Sequence, residues 1–128
     1  MIAYNSSYGI SATQSAGVGT NTIVDQCTIH DNSYGIYLNI SGATPPRMAI
    51  TNSIITGNNN YGIYNADAPN VTLAHSNVWG NLNPYFNVMV ASNVLSYNPQ
   101  FVATDDLHLQ YGSVMVDAAD TAAAPDHN

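Results

Sequence analysis

Acid–base, nucleophilic and metal chemistry would have to come from a short set of side chains here: eight acids, all Asp, four His, one Cys and one Arg, with no Lys or Glu. A glycoside-cleaving site needs two carboxylates converging at roughly 5–9 Å. The repeating part of the chain offers Asp25, Asp31 and Asp67. Asp25 falls early in a strand pattern, Asp31 in a turn and Asp67 after a later strand, so the register places them on different faces and turn formation is the expected role. Cys27 and His30 invite a thiol–imidazole pairing, but strand alternation sends them to opposite faces. His75 aligns with Asn52 and Gln26 in a polar column expected to be exposed, and His108 alternates with Leu107 and Leu109. Arg47 follows Pro45-Pro46 and reads as a solvated loop charge. Asp105, Asp106, Asp117 and Asp120 belong to the closing segment, where bonding to backbone amides is expected. A Ca²⁺ ion is the one cofactor to weigh there, and the dense oxygen-ligand spacing of a calcium loop is missing. No zinc-ligand spacing and no phosphate-cradling glycine loop stands in the sequence. The expectation is therefore no catalytic residues, no metal ligands and no resident cofactor.

The elements that carry these residues repeat. Thr51-Asn52-Ser53-Ile54-Ile55-Thr56-Gly57-Asn58-Asn59-Asn60-Tyr61-Gly62-Ile63-Tyr64 has a near copy in Asp25–Tyr37, a partial copy in Met1–Ile10 and another in Val71–Asn81. Asn5, Asn32, Asn58 and Asn81 mark one position through all four, at intervals of 27, 26 and 23 residues. Ile2, Ile29, Ile55 and Val78 run in step three residues earlier. Such a period is the mark of stacked repeats. Short β-branched runs between Gly and Asn clusters make the repeating unit strands and turns rather than helices. Each coil can bury its apolar positions only against the coil above or below. Val24, Ile50 and Leu73 form one inward column, Ile29, Ile55 and Val78 a second, Ile36 and Ile63 a third. The four asparagines are expected to form a structural ladder passing amide bonds from turn to turn. Cys27, Ser53 and Ser76 form a column of small inward side chains, Cys27 acting as a buried hydrophobe. Gly- and Pro-containing loops at 13–21 and 41–46 both follow the Gly-Ile strand, so insertions fall on one side of the stack.

Composition narrows the partners. A chain of 128 residues with a net charge of −7 lacks the basic footprint that a phosphate backbone requires, so no nucleic acid is expected. No apolar run approaches the ~18 residues of a membrane span, so no membrane partner is expected either. A lone cysteine permits no intrachain disulfide. Ile2 already sits in the repeat rather than in a signal peptide, so residues 1–128 are expected to be a piece of a longer protein. Residues 1–93 are assigned to the coils and 94–128 to a capping segment of the same domain.

The unit Ile-Thr-Asn-Ser-Ile-Ile-Thr-Gly-Asn-Asn-Asn-Tyr-Gly-Ile-Tyr resembles the right-handed parallel β-helix repeat of the pectate-lyase-like superfamily. Asn98-Pro99-Gln100-Phe101-Val102, Asp106-Leu107-His108-Leu109 and Gly112–Asp120 resemble the closing segment of secreted bacterial β-helix proteins, with Val114 where those carry Pro and Ala119 where they carry Gly. The resemblance implies an all-β, right-handed parallel β-helix (β-solenoid) of three to four coils with a C-terminal cap, and an extracellular or cell-surface location. It implies little about activity, because the fold hosts lyases, hydrolases, adhesins and tailspikes. Lyases of the superfamily use a Lys or Arg base beside Ca²⁺-holding acids, which this chain offers only as Arg47 in a loop.

Aromatics supply the candidate binding surface. Tyr8, Tyr34 and Tyr61 form a column beside the asparagines, and Tyr37 and Tyr64 form a second, expected to face outward where rings can meet the apolar faces of sugars. Cross-strand stabilisation of the β-helix exterior is the competing role. The function expected is a non-catalytic structural or carbohydrate-binding module of an extracellular protein, with a polysaccharide as partner and Tyr37 and Tyr64 as ligand-binding residues. The alternative is a polysaccharide lyase or glycoside hydrolase whose catalytic residues lie elsewhere, and whether the chain is an enzyme stays open at this point. Open strand edges at the first coil template pairing, so a homo-oligomer through residues 1–12 and 22–29 is expected.

Overall fold

The structure, a computed structural model, describes residues 1–14, 21–40, 47–66 and 70–118. A partial first coil contributes β1 (Ile2–Ala3) and β2 (Tyr8–Gln14). The second holds β3 (Thr22–Asp25), β4 (Thr28–His30) and β5 (Tyr34–Ile40), and the third β6 (Met48–Thr51), β7 (Ile54–Thr56) and β8 (Tyr61–Asn65). The fourth holds β9 (Val71–Ala74), β10 (Asn77–Trp79) and β11 (Asn83–Phe86), and β12 (Met89–Val90) opens a further turn. Strands pair only with their counterparts one coil away, always in parallel, as three sheets ordered β1-β4-β7-β10, β2-β5-β8-β11 and β3-β6-β9-β12. This is a right-handed parallel β-helix, the hand expected of parallel crossovers. The stretches containing 15–20, 41–46 and 67–69 all connect the second sheet to the third. Pro45-Pro46, Asp67 and Asp120 lie outside the described residues.

Two corners per coil explain the motif. After the third sheet the chain turns at Gln26, Asn52 or His75, with φ of 51°, 49° and 46°, and after the first at Tyr4, Asp31, Gly57 or Gly80, with φ of 62°, 51°, 67° and 66°. Left-handed backbone favours Gly and, among other residues, Asn, Asp and His. The Gln26, Asn52 and His75 column is thus a row of corners, and Asn52 and His75 are half-buried rather than exposed as expected. Between the corners the register stacks like on like: Ile2 beside Ile29, Ile29 beside Ile55, Val78 beside Ile55. Val24, Ile29, Ile36, Ile50, Ile55, Ile63, Leu73 and Val78 are all buried, joined by Leu38, Met48 and Val71. Each fully buried aliphatic side chain is worth about 1.5–3 kcal/mol, and because its contacts lie in neighbouring coils, none of that is available to one coil alone.

The first corner of the second sheet is held by asparagine. Asn58 Oδ1 accepts from Asn32 N at 3.0 Å and from Asn32 Nδ2 at 3.1 Å. Asn32 Oδ1 accepts from Asn5 N at 3.0 Å and Nδ2 at 2.8 Å, and Asn81 Oδ1 from Asn58 N at 3.0 Å and Nδ2 at 2.7 Å. Asn32 and Asn58 are each 1% exposed, a burial that amides tolerate only when bonded. Glycine makes room for this row. A Cβ on Gly35 would lie 2.5 Å from Gly62 O and 2.9 Å from Asn58 Nδ2, and one on Gly62 would lie 2.6 Å from Pro84 O and 2.9 Å from Asn81 Nδ2. The fourth coil carries Pro84 at that place. β11 is the edge strand of its sheet, so no further coil presses on Pro84, and an edge strand tolerates proline. The fourth coil therefore keeps the register of the others without the Tyr-Gly-Ile sequence: Asn83 pairs with Tyr61, Tyr85 with Ile63 and Phe86 with Tyr64. A second, shorter row runs along the third-sheet corner, where Ser53 Oγ accepts from Cys27 N at 3.1 Å and Ser76 Oγ from Ser53 N at 3.2 Å.

The closing segment first lies over the end of the stack and then leaves it. Val88 and Val94 pack on the core, and Leu95 bridges Asn77 in parallel, so residues 88–95 lie over the fourth coil. From there the chain turns down the flank instead of staying over the end. Tyr97 N donates to Asn77 Oδ1 and Asn77 Nδ2 to Tyr97 O. Phe101 and Leu109 form an antiparallel bridge whose hairpin lies against the outer face of the first sheet: Phe101 meets the His30 ring at 5.6 Å, and the Tyr4 hydroxyl donates to Thr104 O. Outward polar groups of that sheet, such as the amide of Asn77, gain partners by being covered, which is the physical reason for the detour.

Candidate functional site

The outer face of the second sheet carries one aromatic array. Tyr34 and Tyr61 stack with centroids 6.0 Å apart and planes 11° from parallel, and Tyr37 and Tyr64 at 5.6 Å and 9°. The two columns meet edge to face, Tyr34 on Tyr37 at 78° and Tyr61 on Tyr64 at 62°. Phe86 extends the outer column, stacked on Tyr64 at 5.4 Å and 15°. At the other end the register places Ser11 beside Tyr37, and Tyr8 fills the space above the small serine, stacking on Tyr37 at 4.5 Å and 28°. Six rings thus run along four coils, bridging the gaps that the backbone ladder leaves between side chains. Tyr37 and Tyr64 have other rings stacked on both sides, Tyr8 and Tyr64 on the one, Tyr37 and Phe86 on the other. The most exposed rings are at the ends, Tyr8 at 39% and Phe86 at 44%. Phe86 is the residue that sequence reasoning missed, although it stands five places after Asn81 as Tyr37 stands five after Asn32.

The model of the family described as "right handed beta helix region" matches residues 1–122. The chain belongs to this β-helix family. No curated protein and no solved structure matches it at a significant level.

On this β-helix the titratable residues are spread around the cross-section. Asp25 ends β3 and its Oδ1 accepts from Thr51 Oγ1 at 2.8 Å and Asn52 Nδ2 at 2.9 Å, tying two coils at the corner. Asp31 is a left-handed corner residue on another edge of the coil. Cys27 packs on the core and its Sγ sits 3.3 Å from Asp25 O, while His30 faces the other way, its ring between Tyr4 and Phe101 and its Nδ1 3.2 Å from Thr56 O. His75 lies beside Ser92 and Asn93. Asp106 and His108 pair in the hairpin through Oδ1 and Nδ1 at 2.5 Å, and the His108 side-chain bond, helped by its backbone N–H, holds the Asp106 carboxyl below its ordinary value. Among the described residues no group of three His, Cys, Asp or Glu is placed to hold a metal ion. Arg47 is exposed immediately before β6, on the third sheet's flank. The structure brings Tyr37 and Tyr64 together, aligns the four asparagines, and joins no two of the Asp25, Asp31, His30, Cys27 and Arg47 side chains by a hydrogen bond among the described residues.

Proposed function

We propose that this β-helix is a non-catalytic module of an extracellular or cell-surface protein that binds a polysaccharide on the outer face of its second sheet. The observation that carries the reading is the aromatic array at coil spacing. Coils advance by about 4.8 Å, close to the length of one pyranose unit, so a glycan laid along the axis meets one row of rings per sugar. Tyr8 and Phe86 offer the ring faces for stacking on apolar sugar faces, and Tyr37 and Tyr64 supply edges and phenolic groups between them. The net charge of −7 supports a neutral glycan over a polyanion.

Tyr→Ala changes at 37 and 64 would disturb stack and ligand together, so the test uses substitutions that separate them. Tyr37→Phe with Tyr64→Phe keeps every ring and removes two hydroxyls, and Phe86→Ala removes one stacking platform at an end of the array. On a glycan array the proposal expects retention of the parent, weaker retention of both variants, and an unchanged melting temperature for the Phe double variant. Retention that is absent in the parent, or equal in all three, would make the array purely structural. Release of reducing sugars or unsaturated uronates from a polysaccharide panel would overturn the non-catalytic assignment.

A further inference from the structure

The flank opposite in function to the aromatic face is a groove across the third sheet. Its floor is the outward register row Ile23, Ala49, Thr72 and Met89. Ala49 and Thr72 are small, and Ile23, 74% exposed, and Met89, 45% exposed, rise at either end. The groove holds about 630 Å³ and is rimmed on one side by Asn21, Arg47 and Asn70. These three precede β3, β6 and β9 in matching positions, and their backbones are joined: Thr22 N donates to Arg47 O at 2.8 Å and Met48 N to Asn70 O at 3.2 Å. The rim is thus a row of donor-bearing side chains at coil spacing. It contains the only Lys or Arg of a chain whose net charge is −7. Asn70 closes the row, its amide nitrogen shielded from water and, among the described residues, without a hydrogen-bond partner.

We propose that this groove binds a small amphiphilic carboxylate, its carboxylate on Arg47 and its apolar chain over Ala49 and Thr72 between Ile23 and Met89. The chemistry is complementary on both counts. A guanidinium pairs a carboxylate through two parallel N–H bonds, and an apolar chain lying between Ile23 and Met89 takes their exposed surface out of water. The size fits a small organic molecule rather than a macromolecule, since such sites span roughly 300–1,000 Å³. An apolar floor with polar groups along one edge orients a ligand that has one charged end. The site is independent of the aromatic face and stands whether or not a glycan binds there.

Octanoate below its micelle concentration, titrated at neutral pH into the isotopically labelled chain, is the probe. The expected result is saturable shifts confined to amides of β3, β6, β9 and their flanking residues. Octanol should give no saturable shifts and acetate much weaker ones. Arg47→Gln should weaken octanoate by about tenfold or more, as loss of a charge-assisted bidentate pair does, with an unchanged amide spectrum elsewhere. Ala49→Phe, which fills the floor and leaves the charge, should abolish binding. Equal affinity in Arg47→Gln, octanol binding as well as octanoate, or shifts lying on another face would each overturn the proposal.

Discussion

Asn58 is the residue on which most of the second-sheet corner depends. Its Oδ1 is the acceptor for both the backbone and the side-chain N–H of Asn32, and its own amide donates to Asn81. Asn58→Ala strands the buried backbone N–H of Asn32 and takes one acceptor from its side-chain amide, which keeps His30 O, so a loss of about 1–3 kcal/mol in urea unfolding is expected. Asn81→Ala should cost a similar amount, because the donors it serves belong to Asn58, which is as buried as Asn32. Gly35→Ala forces a methyl against Gly62 O and the Asn58 amide and should cost about 1–3 kcal/mol by overpacking. The recurring Asn was legible because one position kept its identity through four copies, whereas the reason for the recurring Gly was not, since it lies in the approach of the next coil. The Asp106 carboxyl is held low by His108. A depressed folded value means that the contact's contribution is present above the unfolded pKa and lost as pH falls through the folded one. A carboxyl titration followed by NMR should therefore find Asp106 below ordinary aspartates, and His108→Ala should raise its midpoint; an unmoved midpoint would remove His108 as the cause.

Among the elements, the aromatic array decides how firmly the second sheet is held. Tyr64 contacts Tyr37, Tyr34, Tyr61 and Phe86, and aromatic pairs contribute about 0.5–1.5 kcal/mol each beyond area burial. Tyr64→Ala should cost about 2–4 kcal/mol in thermal or urea unfolding by that reckoning, and Tyr64→Phe should be near neutral. Comparable losses from the two would mean that the hydroxyl, not the ring stack, is what matters. The strand order of this sheet was readable from Tyr-Gly-Ile, but Phe86 was hidden because Pro84 replaced the glycine in an edge strand. The path of residues 97–109 was also hidden. Nothing in Asn98-Pro99-Gln100-Phe101 specifies whether an exposed sheet flank or an open coil end will be covered; polar groups on the first sheet decide it.

For the whole molecule, stability is expected to add coil by coil through neighbour contacts. The third coil has a neighbour on each side in all three sheets, so hydrogen exchange should be slowest in β6, β7 and β8 and fastest in β1, β2 and β12. Uniform protection across the coils would contradict that ladder of stabilities. In the described residues β1, β2 and β3 each pair on one side only.

The claim beneath all of this is that equivalent segments run in the same direction, one directly over the next. Phe101 and Leu109 are the internal reference, a facing antiparallel pair flanked by the Val102-to-His108 and Gln110-to-Gln100 backbone bonds, a geometry that brings the two Cα–H groups together. Cross-strand NOE spectra of the labelled chain should show a strong Hα–Hα peak for that pair and none between β4 and β7 or β5 and β8, where amide contacts link Ile29 to Ile55 and Ile36 to Ile63 instead. Strong Hα–Hα peaks between consecutive strands of the repeats would mean hairpins, and would contradict the stacked-coil account.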